Sequence, residues 1–271
     1  MPILNKDMTL CISLAARPSN IGTRFHNYLY EDLGLNYVYK AFTTTDLAAA
    51  IAGVRGLGIR GCAISMPFKE DVIALVDHLD PSARAIDSVN TVVNDDGVLT
   101  AYNTDYLAVA RLLREHAVPR THSVIVRGSG GMAKAVVAAL RDSGFDDVVL
   151  VARNEHTGRA LADLYGFDWQ AEVGESTADL LVNVTPLGME GDEADVVAFP
   201  QHAIEAARVV FDVVASPSET PLVLAARHRG TPVITGAEVV ALQAEEQFVL
   251  YTGLRPTPEQ VRAAGEFSRR Q

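Results

Sequence analysis

The sequence predicts an α/β fold divided into two domains. Strand-like and helix-like segments alternate over roughly the first 105 residues, which favours a layered α/β structure. A glycine cluster at 128–131 then follows an apolar strand-like run and precedes an apolar helix-like run. The chain has 271 residues. At roughly 150 residues per domain, this length allows one large domain or two small ones.

The first half of the chain is predicted to begin with a strand at 8–14, because β-branched and apolar residues fill this segment. The further elements follow from hydrophobic periodicity and from turn residues. They are, in order, a turn-rich segment at 15–23, a helix at 25–33, a strand at 36–42, a helix at 45–54, a short strand at 61–65, a helix at 68–78, and a hairpin of strands 89–93 and 98–102 around Asp95-Asp96-Gly97.

The second half repeats a strand–helix order around the glycine cluster. Its predicted elements are a helix at 105–116, a strand at 123–127, a helix at 132–143, a strand at 147–152, a helix at 157–165, three short strands at 180–184, 209–213 and 232–235, and helices at 238–251 and 257–269. The order strand, glycine turn, helix, strand, helix, strand is that of a doubly wound, Rossmann-type domain. The polar stretch 188–195 is predicted to be a loop.

Composition excludes several classes of protein. The formal net charge of −11 is a poor match for a protein that binds nucleic acid or an anionic membrane. Cys11 and Cys62 lie in apolar runs, so we expect buried thiols rather than a disulfide framework. The histidines are scattered and lack zinc-site spacing, so we expect no metal. No apolar run reaches the roughly 18 residues of a membrane span, and the segment 8–16 is a predicted strand rather than a signal peptide. We therefore expect a cytoplasmic protein.

The glycine cluster Gly128-Ser129-Gly130-Gly131 has the pattern of a cofactor turn. Glycine allows a tight turn and lets the backbone approach a pyrophosphate closely. The helix that follows offers free N–H groups and a partial positive charge to the anion. The match to Gly-x-Gly-x-x-Gly is imperfect because Ala133 stands in place of the last glycine. The alternative is an ordinary strand–helix turn. A P-loop is excluded because Lys134 lacks the required spacing.

The residues after the next strand, Ala152-Arg153-Asn154, indicate which dinucleotide the turn would bind. An NAD-binding domain usually has Asp or Glu here to hold the ribose 2′-hydroxyl, whereas the first acid in this chain is Glu155. The guanidinium of Arg153 suits a 2′-phosphate and stays charged at any working pH. Arg153 therefore favours NADP over NAD. The alternative is a solvated surface arginine.

Two residues of the first half are candidates for acid–base chemistry. Lys69 follows the strand at 61–65 and Pro67, and Asp105 begins the helix at 105–116. Taken singly, Lys69 is more typical of a solvated helix residue, and Asp105 of a helix N-cap. A dehydrogenase needs a group that moves the hydroxyl proton, and a lysine beside a carboxylate can do this.

Several ordered motifs decide between these alternatives. They are Ser65-Met66-Pro67-Phe68-Lys69, Val89-Asn90-Thr91, Asn103-Thr104-Asp105, Gly128-Ser129-Gly130-Gly131, Asn183-Val184-Thr185-Pro186-Leu187-Gly188-Met189, Thr220-Pro221-Leu222, and Gln243 in the terminal helix. With these motifs in this order, the chain resembles the shikimate dehydrogenase family over nearly its whole length. It is most similar to the shikimate-dehydrogenase-like branch of that family.

The resemblance implies two α/β domains with a cleft between them. A substrate domain, 1–105, would be completed by the C-terminal helices at 238–271, and residues 106–237 would form the Rossmann NADP-binding domain. Lys69 would be the acid/base, with Asp105 as its partner. The implied substrate-binding residues are Ser65 (where the family usually has Thr), Asn90 and Gln243. The implied cofactor-binding residues are Gly128, Ser129, Gly130, Gly131, Met132, Ala152, Arg153, Asn154, Thr185, Val213 and Gly236.

The implied reaction is the reversible NADP-linked reduction of 3-dehydroshikimate to shikimate, in the pathway to chorismate and the aromatic amino acids. The substrate is then a small anionic polyol. No nucleic-acid or membrane partner is expected, and the protein would be a monomer or a homodimer.

The chain departs from the family in the loop that usually binds the substrate carboxylate. The two serines expected there are Asn20 and Gly22, and Thr23 replaces a proline. Asn20 and Thr23 can still donate hydrogen bonds and remain candidate substrate-binding residues. A lost hydrogen bond to a charged group costs about 1.5–3 kcal/mol. Two further departures are Ala215 in place of the usual Tyr, and Asp87-Ser88 in place of Gly-Ala.

These departures leave the substrate open. The first hypothesis is an NADP-linked dehydrogenase of shikimate or a close analogue, with quinate or an amino-shikimate as alternatives. The second is a nucleotide-sensing binding protein with vestigial catalysis. Retention of both Lys69 and Asp105 favours the first hypothesis, because a decayed enzyme has no physical need to keep them.

Overall fold

The computed structural model describes residues 4–269 and divides the chain into two compact units. Unit 1 comprises the residues up to Thr104 together with those from Ala241 onward, and unit 2 comprises Asp105–Val240. The assignment of one domain to the substrate and the other to the cofactor stays a prediction.

The secondary structure alternates between strands and helices along most of the chain. The strands are β1 (Thr9–Leu14), β2 (Tyr37–Phe42), β3 (Gly61–Ile64), β4 (His78–Leu79), β5 (Thr91–Asp95), β6 (Val98–Tyr102), β7 (Val124–Arg127), β8 (Val148–Val151), β9 (Asp168–Gln170), β10 (Leu180–Asn183), β11 (Val209–Asp212) and β12 (Val233–Thr235). The helices are α1 (Asn20–Asp32), α2 (Leu47–Gly56), α3 (Pro81–Arg84), α4 (Thr104–Glu115), α5 (Gly131–Asp142), α6 (Glu155–Tyr165), α7 (Gln201–Ala206), α8 (Pro221–His228), α9 (Gly236–Thr252) and α10 (Pro258–Arg269), with a 3-10 helix at Asp71–Leu75.

Unit 1 contains a mixed six-stranded sheet in the order β2-β1-β3-β5-β6-β4. Strands β1, β2 and β3 are parallel, whereas β5 is antiparallel to both β3 and β6. Successive residues of β1 pack on opposite faces, as the twofold period of a strand requires. Cys11 packs with α1 residues such as Leu29 and with Phe248 of α9, while Ile12 packs with α2 residues such as Val54. Both faces of this sheet are therefore covered by helices.

Unit 2 contains a fully parallel six-stranded sheet in the order β12-β11-β10-β7-β8-β9. Numbered within the unit from β7, this is the 3-2-1-4-5-6 order of a doubly wound domain. The chain reverses its direction of winding between β7 and β10. In open α/β sheets, ligands bind at the carboxyl ends of the strands at such a switch point. The glycine turn follows β7 directly, so the fold places it at this point.

Most of the predicted elements are confirmed, but two predictions about the first half are wrong. Helix α1 begins at Asn20 rather than near residue 25. Gly22 has no positive φ, and a glycine in a first helical turn is tolerated at a cost of about 1 kcal/mol. The segment predicted as a helix at 68–78 is instead a turn at 66–70, the 3-10 helix and β4. Its apolar spacing looked helical because the turn and the 3-10 helix bury Val72 on one side.

The hairpin and the two cysteines agree with the sequence predictions. The hairpin forms as antiparallel β5 and β6. Cys11 and Cys62 are both free and buried. The sequence reasoning missed α3, β9, α7 and α8, which are short. Among residues 4–269, no helix is long and apolar enough to cross a membrane. Over the same range, no group of three or more His, Cys, Asp or Glu side chains could hold a metal ion.

Candidate active site

The turn after β7 requires glycine at its first position. Gly128 has φ +122°, a conformation that other residues rarely adopt. A Cβ atom there would lie 2.8 Å from Cγ2 of Val184 and 3.1 Å from Cγ2 of Thr185. These two residues follow β10, the parallel neighbour of β7. Gly128 therefore lets the turn pass close against the loop after β10.

The next two glycines leave space in front of helix α5. A Cβ atom at Gly130 or Gly131 would meet no heavy atom within 4 Å. Gly130 is the N-cap of α5, and no side chain caps the helix or places an acid in its first turn. The first N–H groups of a helix have no partner within it and carry a partial positive charge. This end of α5 is therefore suited to an anion such as a pyrophosphate. Met132 lies in the same helical turn and is half-buried.

A cavity of about 610 Å³ opens beside this turn. It is lined by the turn, by the residues after β8, by the segment 171–174 after β9, and by the loop after β10. Ala152, Arg153 and Asn154 lie on its wall together with Thr185. Asn154 caps α6, since its side chain accepts a hydrogen bond from the Thr157 N–H. The structure thus groups seven of the predicted cofactor residues around one cavity, whereas Gly131 and Met132 of the same turn do not line it. The seven are Gly128, Ser129, Gly130, Ala152, Arg153, Asn154 and Thr185.

A hydrogen bond links the glycine turn to helix α6. The hydroxyls of Ser129 and Thr157 lie 2.7 Å apart. Thr157 is exposed and Ser129 is half-buried. The hydrogen bond holds the outer part of the turn against the first turn of α6.

A buried network supports the loops after β10 and β11. Asp212 accepts hydrogen bonds from the Thr220 hydroxyl at 2.6 Å and the Asn183 amide at 3.0 Å. Asn183 in turn accepts a hydrogen bond from the Thr185 hydroxyl at 2.6 Å. Burial raises the pKa of the Asp212 carboxyl, and these hydrogen bonds oppose the shift. The network orients Thr185 at the cavity wall.

Val213 and Gly236 meet at the ends of β11 and β12. A Cβ atom on Gly236 would lie 2.3 Å from the Val213 carbonyl oxygen, so only glycine fits there. Both residues were predicted from the family resemblance to contact the cofactor. The structure brings them together with each other, but neither lines the cavity described above.

In unit 1, Asn90 has a side-chain amide whose orientation is determined by its neighbours. Its Oδ1 atom accepts hydrogen bonds from the Thr104 N–H at 2.8 Å and the Thr91 hydroxyl at 2.9 Å. A backbone N–H can only donate, so the oxygen must face Thr104 and the NH₂ group must face away. Asn90 is buried, and its Nδ2 atom has no hydrogen-bond partner among the described residues. A buried amide donor left unpaired is costly, which indicates a place for an acceptor.

Sequence reasoning missed Gln247, which completes this arrangement. Its Nε2 atom donates to the Thr91 hydroxyl at 3.0 Å and to the Asn90 carbonyl at 3.3 Å. Because the Thr91 oxygen accepts from Gln247, its own hydrogen is left to donate to Asn90. Gln247 lies one helical turn after Gln243 on α9. That spacing places both on one helix face and was a signal available in the sequence.

Gln243 also reaches this cluster. The Thr104 hydroxyl lies 3.4 Å from its Oε1 atom and 3.2 Å from Oδ1 of Asn90. The structure therefore brings together two of the predicted substrate residues, Asn90 and Gln243, through Thr104.

Lys69 is tied to the same region through its backbone. It lies in the turn at 66–70 rather than in a helix, which corrects the helical placement expected from the sequence. Its carbonyl accepts a hydrogen bond from the Val89 N–H at 2.8 Å, and Val89 directly precedes Asn90. Ser65 directly follows β3, and its N–H donates to the Leu14 carbonyl at 2.9 Å. Ser65, Lys69 and Asn90 therefore lie at neighbouring strand ends of one sheet.

Asp105 is not the N-cap expected for it in isolation. Helix α4 begins at Thr104, so Asp105 is in the first turn, where a carboxylate suits the helix dipole. Asp105 belongs to unit 2 and Lys69 to unit 1. Their pairing stays a prediction.

The altered loop residues lie at the start of α1. Asn20 is the first helical residue and is exposed, while Thr23 has a buried hydroxyl that has no partner among the described residues. Asp87 is exposed and has φ +47°, a conformation in which the family's usual glycine is unstrained. Ala215 is half-buried after β11.

These features define an α/β protein with a dinucleotide-type turn in one unit and a buried polar site in the other. A family model described as shikimate dehydrogenase substrate binding domain matches residues 20–92. A shikimate dehydrogenase-like protein of Haemophilus influenzae is 54% identical over 268 residues, covering 98% of this chain and 99% of that protein. The chain belongs to the shikimate dehydrogenase family.

Solved structures agree with this membership. A shikimate 5-dehydrogenase-like protein superposes with a TM-score of 0.98 at 55% identity, covering 99% of this chain and 100% of the other. The shikimate 5-dehydrogenase of Thermus thermophilus, solved with NADP(H) and shikimate, superposes with a TM-score of 0.85 at 29% identity, covering 96% of this chain and 100% of the other.

Proposed function

We propose that this protein is an NADP-linked oxidoreductase that interconverts 3-dehydroshikimate and shikimate, or a close cyclic polyol acid. One observation in unit 1 carries the proposal. The Lys69 carbonyl accepts a hydrogen bond from the N–H of Val89, the residue before Asn90. The buried side-chain NH₂ group of Asn90 has no hydrogen-bond partner among the described residues. A proton-carrying side chain and an oriented donor then serve the same bound molecule.

The glycine turn in unit 2 is the part suited to hold the cofactor. The open space at Gly130 and Gly131 and the uncapped start of α5 fit a pyrophosphate. Arg153 fits a 2′-phosphate, because its guanidinium can bond phosphate oxygens in pairs. Val213 and Gly236 would approach the other end of the dinucleotide. When bound, NADP supplies hydride acceptance and donation at its nicotinamide ring.

The side chains of the chain itself supply the proton and the orientation. In the direction of reduction, the Lys69 ammonium donates a proton to the developing alkoxide oxygen, and in oxidation the amine takes it back. Asp105 would hold that ammonium in place and accept a hydrogen bond from a ring hydroxyl. Asn90 would donate through Nδ2 to a second oxygen, with Ser65 and Gln243 on the remaining hydroxyls.

The recognition of the substrate carboxylate differs from that of the main family. Asn20 and Thr23 offer one amide and one hydroxyl where two serines are usual, and Gly22 offers none. The Thr23 hydroxyl has no hydrogen-bond partner within residues 4–269, which supports a role for Thr23 as donor. These changes, together with the added carboxylate of Asp87, support quinate or an amino-substituted shikimate as alternative substrates. They also motivate the remaining candidate, a nucleotide sensor with vestigial catalysis.

The test is a panel of substrates assayed at high enzyme concentration. Formation of reduced cofactor is followed by its near-ultraviolet absorbance with shikimate, quinate and amino-shikimate, each with NADP and with NAD. We expect turnover of at least one polyol acid, with NADP preferred. If the protein binds NADP tightly but neither binds nor turns over any of the three acids, the dehydrogenase hypothesis is rejected and the nucleotide-sensor hypothesis is favoured.

A further inference from the structure

Arg127 lies where the cofactor turn begins, at a position that sequence reasoning treated only as the end of a strand. It is the last residue of β7 and directly precedes Gly128. Its side chain projects from the same face of the sheet as Ile125, two residues earlier. There it donates a hydrogen bond to the Ala198 carbonyl and is half-buried. A charged side chain therefore occupies a partly desolvated position beside the turn.

Arg127 and Arg153 line the same cavity. Arg127 of β7 pairs in register with Val151, the last residue of the neighbouring strand β8. Arg153 is the second residue after Val151. Burial and the positive charge of Arg153 both lower the pKa of Arg127, and Glu193 partly opposes them. Two guanidinium groups close enough to repel each other are unfavourable unless an anion lies between them.

The carboxylates of the cavity do not account for the pair. Glu172 and Glu193 also line it, and both are exposed. Exposed carboxylates add little to the stability of an arginine, because solvent screens them. The bond to Ala198 gives Arg127 a structural role, but a neutral donor could make that bond equally well. The structural role of Arg127 therefore explains its hydrogen bond to Ala198 but not its positive charge.

We propose that Arg127 and Arg153 together bind the 2′-phosphate of the nucleotide, which makes Arg127 a second determinant of specificity for NADP over NAD. The inference rests on the proposed function in that the cavity takes the cofactor. Two guanidiniums can bond the three phosphate oxygens from two sides, and neither changes its charge at working pH. A nucleotide without the 2′-phosphate leaves the repulsion between the two cations uncompensated.

The test compares the binding of nucleotides with and without the 2′-phosphate to variants that remove or keep the charge of these arginines. The protein has a single tryptophan, Trp169, whose Nε1 atom donates to the Ala152 carbonyl at 3.3 Å, next to Arg153. Its fluorescence therefore reports on binding at this cavity without any need for turnover. The ligands are NADP, NAD, adenosine 2′,5′-bisphosphate and 5′-AMP. The variants are Arg127→Gln, Arg127→Lys, Arg153→Gln and, as a control, Arg208→Gln on the exposed surface of unit 2.

We expect Arg127→Gln to weaken NADP and the bisphosphate at least tenfold while changing NAD and 5′-AMP less than twofold. Arg127→Lys, which keeps the charge, should retain most of the preference, and Arg208→Gln all of it. Equal weakening of all four ligands by Arg127→Gln, or no weakening, would overturn the inference. So would a wild-type protein that binds NADP no more tightly than NAD. A wild type that prefers NADP but oxidises no polyol acid would overturn the proposed reaction alone.

Discussion

The polar site of unit 1 and the glycine turn of unit 2 are built in opposite ways. In unit 1, the orientation of one buried side chain, Asn90, follows from hydrogen bonds that its Oδ1 atom accepts from Thr91 and Thr104, and Gln247 in turn orients the Thr91 hydroxyl. In unit 2, the shape of the turn depends on the absence of a side chain at Gly128, and the open space in front of α5 depends on glycine at positions 130 and 131. Deleting a side chain should therefore damage the first site, whereas adding one should damage the second.

The comparison predicts its largest effect at Lys69. Lys69→Ala removes the group that moves the proton, so we expect kcat to fall by roughly 10²–10⁴, the usual contribution of general acid–base catalysis. NADP binding should change less than twofold, because the cofactor residues belong to the other unit. Initial rates of NADPH formation and Trp169 fluorescence measure the two effects.

Lys6→Ala is the matched control for this variant, since Lys6 is an exposed lysine of the same unit that pairs with Asp7 on the surface. It should leave both quantities unchanged. A kcat for Lys69→Ala within threefold of wild type would reject the assigned role.

Adding a methyl group separates two kinds of glycine in the turn. At Gly128 a Cβ atom overlaps Val184, so Gly128→Ala should lower the free energy of unfolding by about 1–3 kcal/mol and also weaken NADP binding. At Gly131 the Cβ atom meets no protein atom, so Gly131→Ala should leave stability unchanged or raised by up to about 1 kcal/mol. It should still weaken NADP at least tenfold by filling space meant for the pyrophosphate.

Thermal or urea unfolding together with nucleotide titration distinguishes these outcomes. If Gly131→Ala binds NADP as tightly as wild type, the open space in front of α5 is not where the pyrophosphate lies.

A smaller effect is expected at Gln247, which acts on the substrate through Asn90. Gln247→Leu removes the donor to the Thr91 hydroxyl and to the Asn90 carbonyl, so that the Thr91 hydroxyl is no longer directed towards Asn90 and only Thr104 still holds the amide. We expect KM for the polyol acid to rise by about tenfold, equivalent to roughly 1.4 kcal/mol, with kcat less affected and NADP binding unchanged. The exposed Gln201 is the control, as Gln201→Leu removes only a surface bond to Glu205. Equal losses in substrate and NADP binding would show a general structural defect instead.

The smallest effect is a pH dependence of stability in unit 1. Burial lowers the pKa of His26 from 6.5 to about 3, and its ring stacks on Tyr39 at 4.5 Å. The unfolded chain binds the proton more readily, so stability falls as the pH drops from about 6.5 towards 3. Between pH 7.5 and 5.5 this costs about 1.4 kcal/mol.

His26→Phe should remove this part of the pH dependence, because phenylalanine keeps an aromatic ring at this position and has no group that titrates. Urea midpoints followed by the near-ultraviolet signal of the surrounding tyrosines measure it. An unchanged pH slope in His26→Phe would contradict the neutral, buried state of His26.

The sequence alone was sufficient to predict those features of the fold that depend on hydrophobic periodicity and on local motifs. The strand–glycine–helix order around Gly128 and the hairpin at β5 and β6 depend on local patterns, and both formed as expected. The segment around Lys69 was mistaken for a helix because its apolar spacing fits a 3-10 helix and a turn equally well. Asn90 was predicted, but the role of Gln247 depends on contacts 157 residues apart along the chain, which no local pattern encodes. The charge pair of Arg127 and Arg153 likewise arises only when β7 and β8 align.

The most direct test of this division of roles is a titration of shikimate, quinate and amino-shikimate into NADP-saturated wild type and Lys69→Ala, with heat and NADPH absorbance recorded together. We expect at least one polyol acid to bind saturably to both proteins, and only wild type to form NADPH at an appreciable rate. NADPH formation by Lys69→Ala at nearly the wild-type rate, or no binding of any of the three acids to the NADP complex of wild type, would contradict the account.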